Sequence, residues 1–277
     1  PSSAPAVRSA PIRLRRTVRF WIGGPTPMPH HGGFGGLPAP SGLVATFELE
    51  VEVIGEPDPI TGYLIGIQHL DAAVRETIVP RFEAAFRHGD VDPIPLLLDA
   101  AARLGERLPV PLSGLLLRLT PFHAIEWLAA PAAPEAPAVT ETSAVLLRQR
   151  FEFAASHRLH CPDLDDEANR KVFGKCNNPH GHGHNYKVET CVEAPLGGTD
   201  GPSMPAIETI VGREVIDRFD HRNLNLDCEE FRTLNPSVEH IAAVAYGRLR
   251  EPIAALGGNL RSVTVWETDK TSATYPA

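Results

Sequence analysis

Between Leu128 and Thr142 the chain reads Leu-Ala-Ala-Pro-Ala-Ala-Pro-Glu-Ala-Pro-Ala-Val-Thr-Glu-Thr. Proline lacks a backbone N–H and fixes its own φ, so three prolines at this spacing exclude a helix interior or a central strand. Such a Pro/Ala stretch acts as a stiff spacer. It sets a domain boundary, dividing the 277 residues into a unit over 13–127 and a unit over 143–277. Each is long enough to bury its own core. Residues 1–12, rich in Pro, Ala and Ser, read as a disordered tail.

In the first unit, residues 13–22 alternate as a strand and a Gly/Pro/His loop follows over 23–42. Leu43–Ile54 is a clearer strand, strictly apolar against acidic from Phe47 onward, which is the signature of a half-buried strand. Asp58–Gly62 reads as a turn and Tyr63–Ile67 as a short strand. Residues 69–87 and 93–107 have helical spacing, and Gly114–Thr120 closes the unit as a strand. The second unit has the same order. Strands fall over 147–157 and 184–193, a turn at Gly197–Gly201, a helix over about 207–219, a second over 236–250 opened by Asn235-Pro236, and a strand over 261–267. Phe47-Glu-Leu-Glu-Val answers Tyr186-Lys-Val-Glu-Thr, and Leu115–Leu119 answers Val263–Glu267, as an internal repeat would.

Composition excludes some classes of partner. A net charge of −8 gives no electrostatic reason to expect nucleic acid or an anionic membrane. No apolar run approaches the ~18 residues of a membrane span, and no charged-then-apolar secretory start is seen. The four cysteines (Cys161, Cys176, Cys191 and Cys228) follow neither a disulfide framework nor a CxxC metal pattern, which points to a reducing cytoplasm.

Chemistry concentrates in residues 173–186, Phe-Gly-Lys-Cys-Asn-Asn-Pro-His-Gly-His-Gly-His-Asn-Tyr. On an extended strand His180, His182 and His184 project to one side. Two of these imidazoles plus one from elsewhere supply the three protein ligands of an open, catalytic zinc site. His157, at the end of the alternating run Phe151–Leu159, is a natural third. Gly181 and Gly183 let another backbone or a ligand approach the opposite face.

The string FGKCNNPHGHGHNY, with FAASHRLH before it and FDHRNLN and VWETD after it, resembles the 6-pyruvoyl-tetrahydropterin synthase family. The motifs span 151–269 in family order. The resemblance implies an α+β chain of two tandem tunnelling-fold (T-fold) domains, each an antiparallel four-stranded sheet with helices on one face. It implies Zn2+ held by His157, His182 and His184, and Cys176 as the catalytic thiol. Asp220 and His221 form an acid/base couple, and Glu267 anchors the pterin ring, with Ser237 and Glu239 as further substrate contacts. Val238 stands where the family offers a hydroxyl. His180 stands where the family has Asn, so it falls outside the ligand set, the alternative being a closed four-histidine site.

The implied activity is elimination of triphosphate from 7,8-dihydroneopterin triphosphate with internal redox of the side chain. A homo-oligomer with sites at subunit or domain interfaces is expected. The alternatives are a 6-carboxy-tetrahydropterin synthase, whose loop between cysteine and histidine is typically shorter, and a non-catalytic pterin-binding paralogue. Arg158, Lys175 and Lys187 are candidates for the triphosphate by charge alone. In the first unit Leu43 and Ala45 stand where His182 and His184 stand, Gly24 near His157, Pro80 and Arg81 near Asp220 and His221, and Leu119 opposite Glu267. That unit reads as a degenerate, non-catalytic copy, in which His30 and His31 have no companion cysteine.

Overall fold

The acidic stripe of residues 47–54 makes a strand because both of its faces find partners. In the computed structural model, which describes residues 10–24, 36–89, 92–130, 144–196 and 201–277, β1 (Ile12–Ile22) pairs antiparallel with β2 (Ala45–Gly55). Leu49, Val51 and Val53 are buried on one face. On the other, Glu48 and Glu52 meet Arg19 and Arg15 at register-paired positions. Glu52 is almost covered, between Arg13, Arg15 and Ser113. Burial alone would raise its carboxyl pKa, but these three donors hold it below the ordinary range.

The chain divides after Val145 into two compact units. In the first, α1 (Ile67–Ala73), a π-helical turn (Val74–Ile78) and α2 (Val79–His88) run on as one rod, stopped by Gly89 at φ +73°. The rod is followed by α3 (Pro93–Arg107), capped by the Asp92 side chain. Then β3 (Leu112–Thr120) and β4 (His123–Leu128) complete an antiparallel sheet of order β1-β2-β3-β4. Phe20, Phe47 and Phe82 pack ring against ring, with centroids 5.5–5.6 Å apart. Phe82 is 3% exposed, so Phe82→Ala is expected to cost about 3–5 kcal/mol, read from the denaturation midpoint.

The second unit opens on β5 (Ala144–His157), followed by α4 (Asp166–Phe173), a 3₁₀ turn (Gly174–Asn177) and β6 (His182–Ala194). Next come α5 (Met204–Val211), a π-helical turn (Gly212–Ile216) and α6 (Asp217–Phe219). After β7 (Arg222–Asn223), α7 (Leu224–Asp227) and a 3₁₀ turn (Glu229–Phe231), the long α8 (Val238–Ala255) leads into β8 (Asn259–Thr268) and β9 (Thr271–Tyr275). The sheet order is β5-β6-β8-β9, with β7 parallel to the end of β5. Tyr186, Val188, Val263 and Val265 are fully buried from the sheet, as are Ile241, Ala245, Leu249 and Ile253 of α8. Both units are therefore α+β, and both carry a π turn inside the first helical rod after the second strand.

Several sequence expectations need correction. Tyr63–Ile67 is not a strand: Tyr63 is 70% exposed and α1 begins at Ile67. Leu43 is fully exposed and β2 starts two residues later. The helix expected from Asn235-Pro236 is capped instead by Ser237, whose hydroxyl accepts from His240 N–H. His180 precedes β6 and does not share its face. Short β4, β9 and α4 were not expected. Most of the spacer, the N-terminal residues 1–9, the loop 25–35 with His30 and His31, and residues 197–200 lie outside the described residues.

Candidate metal centre and acid/base cleft

Alternation along β5 turns Phe153, Ala155 and His157 inward, and His157 is completely buried. Its Nδ1–H donates to the Pro236 carbonyl at 2.7 Å, with the Tyr186 hydroxyl 3.4 Å away. That bond puts the ring proton on Nδ1 and leaves the Nε2 lone pair facing the cavity. Across from it, β6 begins at His182. Gly181 sits at φ +72°, and a Cβ there would lie 2.9 Å from the His157 carbonyl oxygen. Only glycine permits this approach of the two strands.

The result is convergence. His157 Nε2 lies 3.1 Å from His182 Nε2 and 3.3 Å from Glu267 Oε1, which is itself 3.3 Å from His184 Nε2. All four ligand atoms fall within 4.8 Å of one another. Ligands about 2.0 Å from a tetrahedral zinc sit about 3.3 Å apart, so the set fits such an ion. His184 Nε2 is buried without a hydrogen bond, as expected of a lone pair meant for a cation. His180 is outside the group, and among the described residues no second metal-capable group occurs. The joining of Glu267 to the imidazoles was not foreseen from sequence.

Burial holds the pKa values of His157 and His182 below the ordinary imidazole range, with neighbouring imidazoles adding to the effect. Both are thus neutral and ready as ligands at pH 7. Because their folded values are depressed, the stability they confer is present above the unfolded pKa of about 6.5 and lost as pH falls through the folded values. The metal-stripped chain is therefore expected to hold its Tm above about pH 7 and lose it toward about pH 5. A Tm flat across that window would contradict the assignment.

The segment leaving His157 is clamped by side chains from far along the sequence. Asn225 accepts from Arg158 N–H at 2.7 Å and donates to the Arg158 carbonyl at 3.0 Å, imitating a strand partner. Leu159 N–H donates to the Cys176 carbonyl at 2.9 Å, and His160 N–H to Asn235 Oδ1 at 3.2 Å. Asn225, Asn235, Pro236 and Tyr186 thus set the His157 ring and the Cys176 turn. Tyr186 and Asn225 fall inside the quoted motifs and Asn235-Pro236 reads as a helix start, but no sequence signal gave them this role, because their partners are distant along the chain. Asn225→Ala is expected to weaken metal affinity about tenfold, measured by competition with a chelator. Asn225→Gln tests whether the clamp needs this reach.

Cys176 lies half-buried in the 3₁₀ turn. Burial and the Glu267 charge push its thiol pKa up, so the thiol senses the metal group. Asp220 Oδ1 accepts from Ala154 N–H at 2.8 Å and Oδ2 from His221 Nδ1–H at 2.7 Å. These donors keep Asp220 ionised, below the usual carboxylate range. His221 has φ +56°, the one positive φ outside glycine among the described residues, a conformation kept where a site demands it. A cleft of about 440 Å³ is lined by His184, Asn185 and His221 together, but not by Cys176 or Glu267. Ser237 caps α8, and its hydroxyl donates to Glu239, lowering that carboxyl. Neither residue joins the metal group. Lys187 is taken by Asp269 at 2.7 Å.

An α+β unit in which imidazoles of two adjacent strands and the Glu267 carboxylate converge defines a metal-ready centre. A sequence model of the 6-pyruvoyl tetrahydropterin synthase family matches residues 146–277. The human protein called 6-pyruvoyl tetrahydrobiopterin synthase is 36% identical over 129 residues, 46% of this chain and 88% of the relative. The Drosophila melanogaster protein of that name is 36% identical over 143 residues, 50% and 82% respectively. A solved Caenorhabditis elegans 6-pyruvoyl tetrahydropterin synthase is 34% identical over 48% of this chain and 96% of that one, with a TM-score of 0.45. The chain belongs to the 6-pyruvoyl tetrahydropterin synthase family, through its second unit.

Proposed function

We propose that the second unit is a zinc-dependent 6-pyruvoyl-tetrahydropterin synthase. It would eliminate triphosphate from 7,8-dihydroneopterin triphosphate while two electrons pass from the side chain to the ring. The observation carrying this reading is the meeting of His157, His182 and His184 Nε2 with the Cys176 turn bonded to the strand end. Bound zinc supplies Lewis-acid polarisation of a side-chain oxygen and positive charge beside the cysteine. Cys176, as thiolate, takes the proton from the side-chain carbon next to the ring. His221, fixed by Asp220 through Nδ1, has Nε2 to accept and return protons as the C–O bond to triphosphate breaks and the enol becomes a methyl ketone. Glu267 offers a carboxylate to the pterin N–H and amino edge. Ser237 is occupied as a helix cap, so it receives no substrate contact here.

The first unit is, on this reading, a non-catalytic copy of the same fold. The shared strand order and π turn support it, as does the lack of a metal-capable group there among the described residues. Tandem units of this kind fit a homo-oligomer, and the irregular spacing of the four cysteines fits a reducing cytoplasm. No helix among the described residues is long and apolar enough to cross a membrane. The test is incubation of the full chain with 7,8-dihydroneopterin triphosphate and identification of the product. The pyruvoyl product is expected. A carboxy product with acetaldehyde would assign the related carboxy synthase instead, and no product would reduce the unit to a pterin-binding scaffold.

A further inference from the structure

Leu159, just past His157 in the chain, has both of its backbone polar groups taken by consecutive residues of the 3₁₀ turn. Its N–H donates to the Cys176 carbonyl at 2.9 Å, and its carbonyl accepts from Asn177 Nδ2 at 2.8 Å. In a sheet the second bond would come from a backbone N–H. A 3₁₀ turn spends its N–H groups on its own carbonyls, as Asn178 N–H does on Lys175 at 3.2 Å, so it offers no edge for a strand to pair with. The Asn177 amide supplies the missing donor.

Asn177 is the one buried residue of that turn, 7% exposed. Its Nδ2 also lies 3.2 Å from His160 Nδ1, and its carbonyl accepts from Arg158 Nε at 3.2 Å. Residues 158, 159 and 160 therefore all close on one asparagine. Cys176 precedes it. Asn178 follows it, accepting from His180 N–H at 3.1 Å and donating to the Gly181 carbonyl at 3.2 Å, just before His182. Asn177 is thus where the Cys176 turn, lying between His157 and His182 in the chain, is tied to the strand end of His157. The outer part of the loop is fastened separately. Asn169 of α4, fully buried, accepts from Cys161 N–H at 2.8 Å and donates to the Cys161 and Leu164 carbonyls at 2.9 and 2.8 Å. Those bonds do not touch the Cys176 turn.

We propose that Asn177 is a positioning residue for Cys176, its side-chain amide fixing the thiol's place relative to the imidazoles of His157, His182 and His184. What the thiol does there rests on the proposed synthase reading, whereas the clamp itself does not. A proton acceptor must meet its carbon at about 3–3.5 Å and in line, so a shift of about 1 Å costs about a hundredfold in rate. Without the amide, the Leu159 carbonyl loses its donor and the turn is held to the strand end by one bond fewer. His157 keeps its Pro236 contact and the Asn225 clamp on Arg158.

The test compares Asn177→Ala, the equal-sized Asn177→Asp, which lacks the donor, and Asn169→Ala, all in the full chain. Both Asn177 variants are expected to show kcat about a hundredfold lower, with KM for 7,8-dihydroneopterin triphosphate and zinc affinity against a chelator unchanged. The Leu159 amide hydrogen should exchange faster in their metal-free forms. Asn169→Ala is expected to lower the Tm and leave kcat alone at temperatures where it is folded. Wild-type kcat in the Asn177 variants, or an equal loss of kcat in Asn169→Ala, would overturn the proposal. So would weakened zinc binding of the kind expected for Asn225→Ala, which would make Asn177 part of the metal clamp instead. If the wild-type chain forms no product, the synthase reading fails and Leu159 exchange decides alone. Faster exchange in the variants then leaves the clamp standing, and unchanged exchange removes it.

Discussion

Replacing His182 by alanine is expected to strip the metal from the chain and lower turnover by about a thousandfold or more, the several kcal/mol a Lewis acid contributes to a transition state. His182 is the better choice over His157 because it is only partly buried, whereas His157 is enclosed and bonded to Pro236. Removing His157 would mix metal loss with a packing defect. Removing His182 leaves the Pro236 and Asn225 contacts in place, so the fold should survive. Metal content by mass spectrometry and kcat/KM should fall together. A variant that keeps its metal and its rate would remove His182 from the ligand set. Glu267 supplies the contrast. If three imidazoles suffice to hold the ion, Glu267→Gln keeps the metal and raises KM. If its Oε1, 3.3 Å from two ligand nitrogens, is a fourth ligand, the metal is lost instead.

Cys176→Ser is the second large effect, with kcat expected to drop by about 10²–10⁴ while metal content stays constant. A serine hydroxyl is nearly isosteric with the thiol, but its proton is far harder to remove, so it cannot act as the acceptor at neutral pH. The Cys176 backbone bond to Leu159 is kept in the variant, so the His157 segment should not move. In the structure the thiol is pushed up by burial and by Glu267, opposite to what catalysis needs. The account therefore requires the ion to offset that carboxylate. A Cys176→Ser protein with undiminished kcat would hand the proton chemistry to Asp220 and His221 alone.

What could be read from the sequence follows physical periodicity. The strands containing Val18, Leu49, Val188 and Val263 announce themselves because one face is core and the other wet. His157, His182 and His184 could be grouped from alternation and motif. Glu267 could be placed at a strand end, but its arrival among the imidazoles depends on the β6–β8 register, where Lys187 pairs with Trp266. Nothing local encodes that register. Strand β9, Thr-Ser-Ala-Thr-Tyr, buries too little to show a pattern, and Asn235-Pro236 mimics a helix start while its carbonyl serves His157. Asn225 ends the FDHRNLN motif, yet its clamping role was hidden for the same reason: its partner Arg158 is set by folding.

The most direct measurement is the zinc stoichiometry of the purified full chain, by mass spectrometry against protein concentration. The account predicts about one zinc per chain, held by the second unit and lost in the His182→Ala protein. A value near zero in protein purified without chelator, or one unchanged by that substitution, would contradict it.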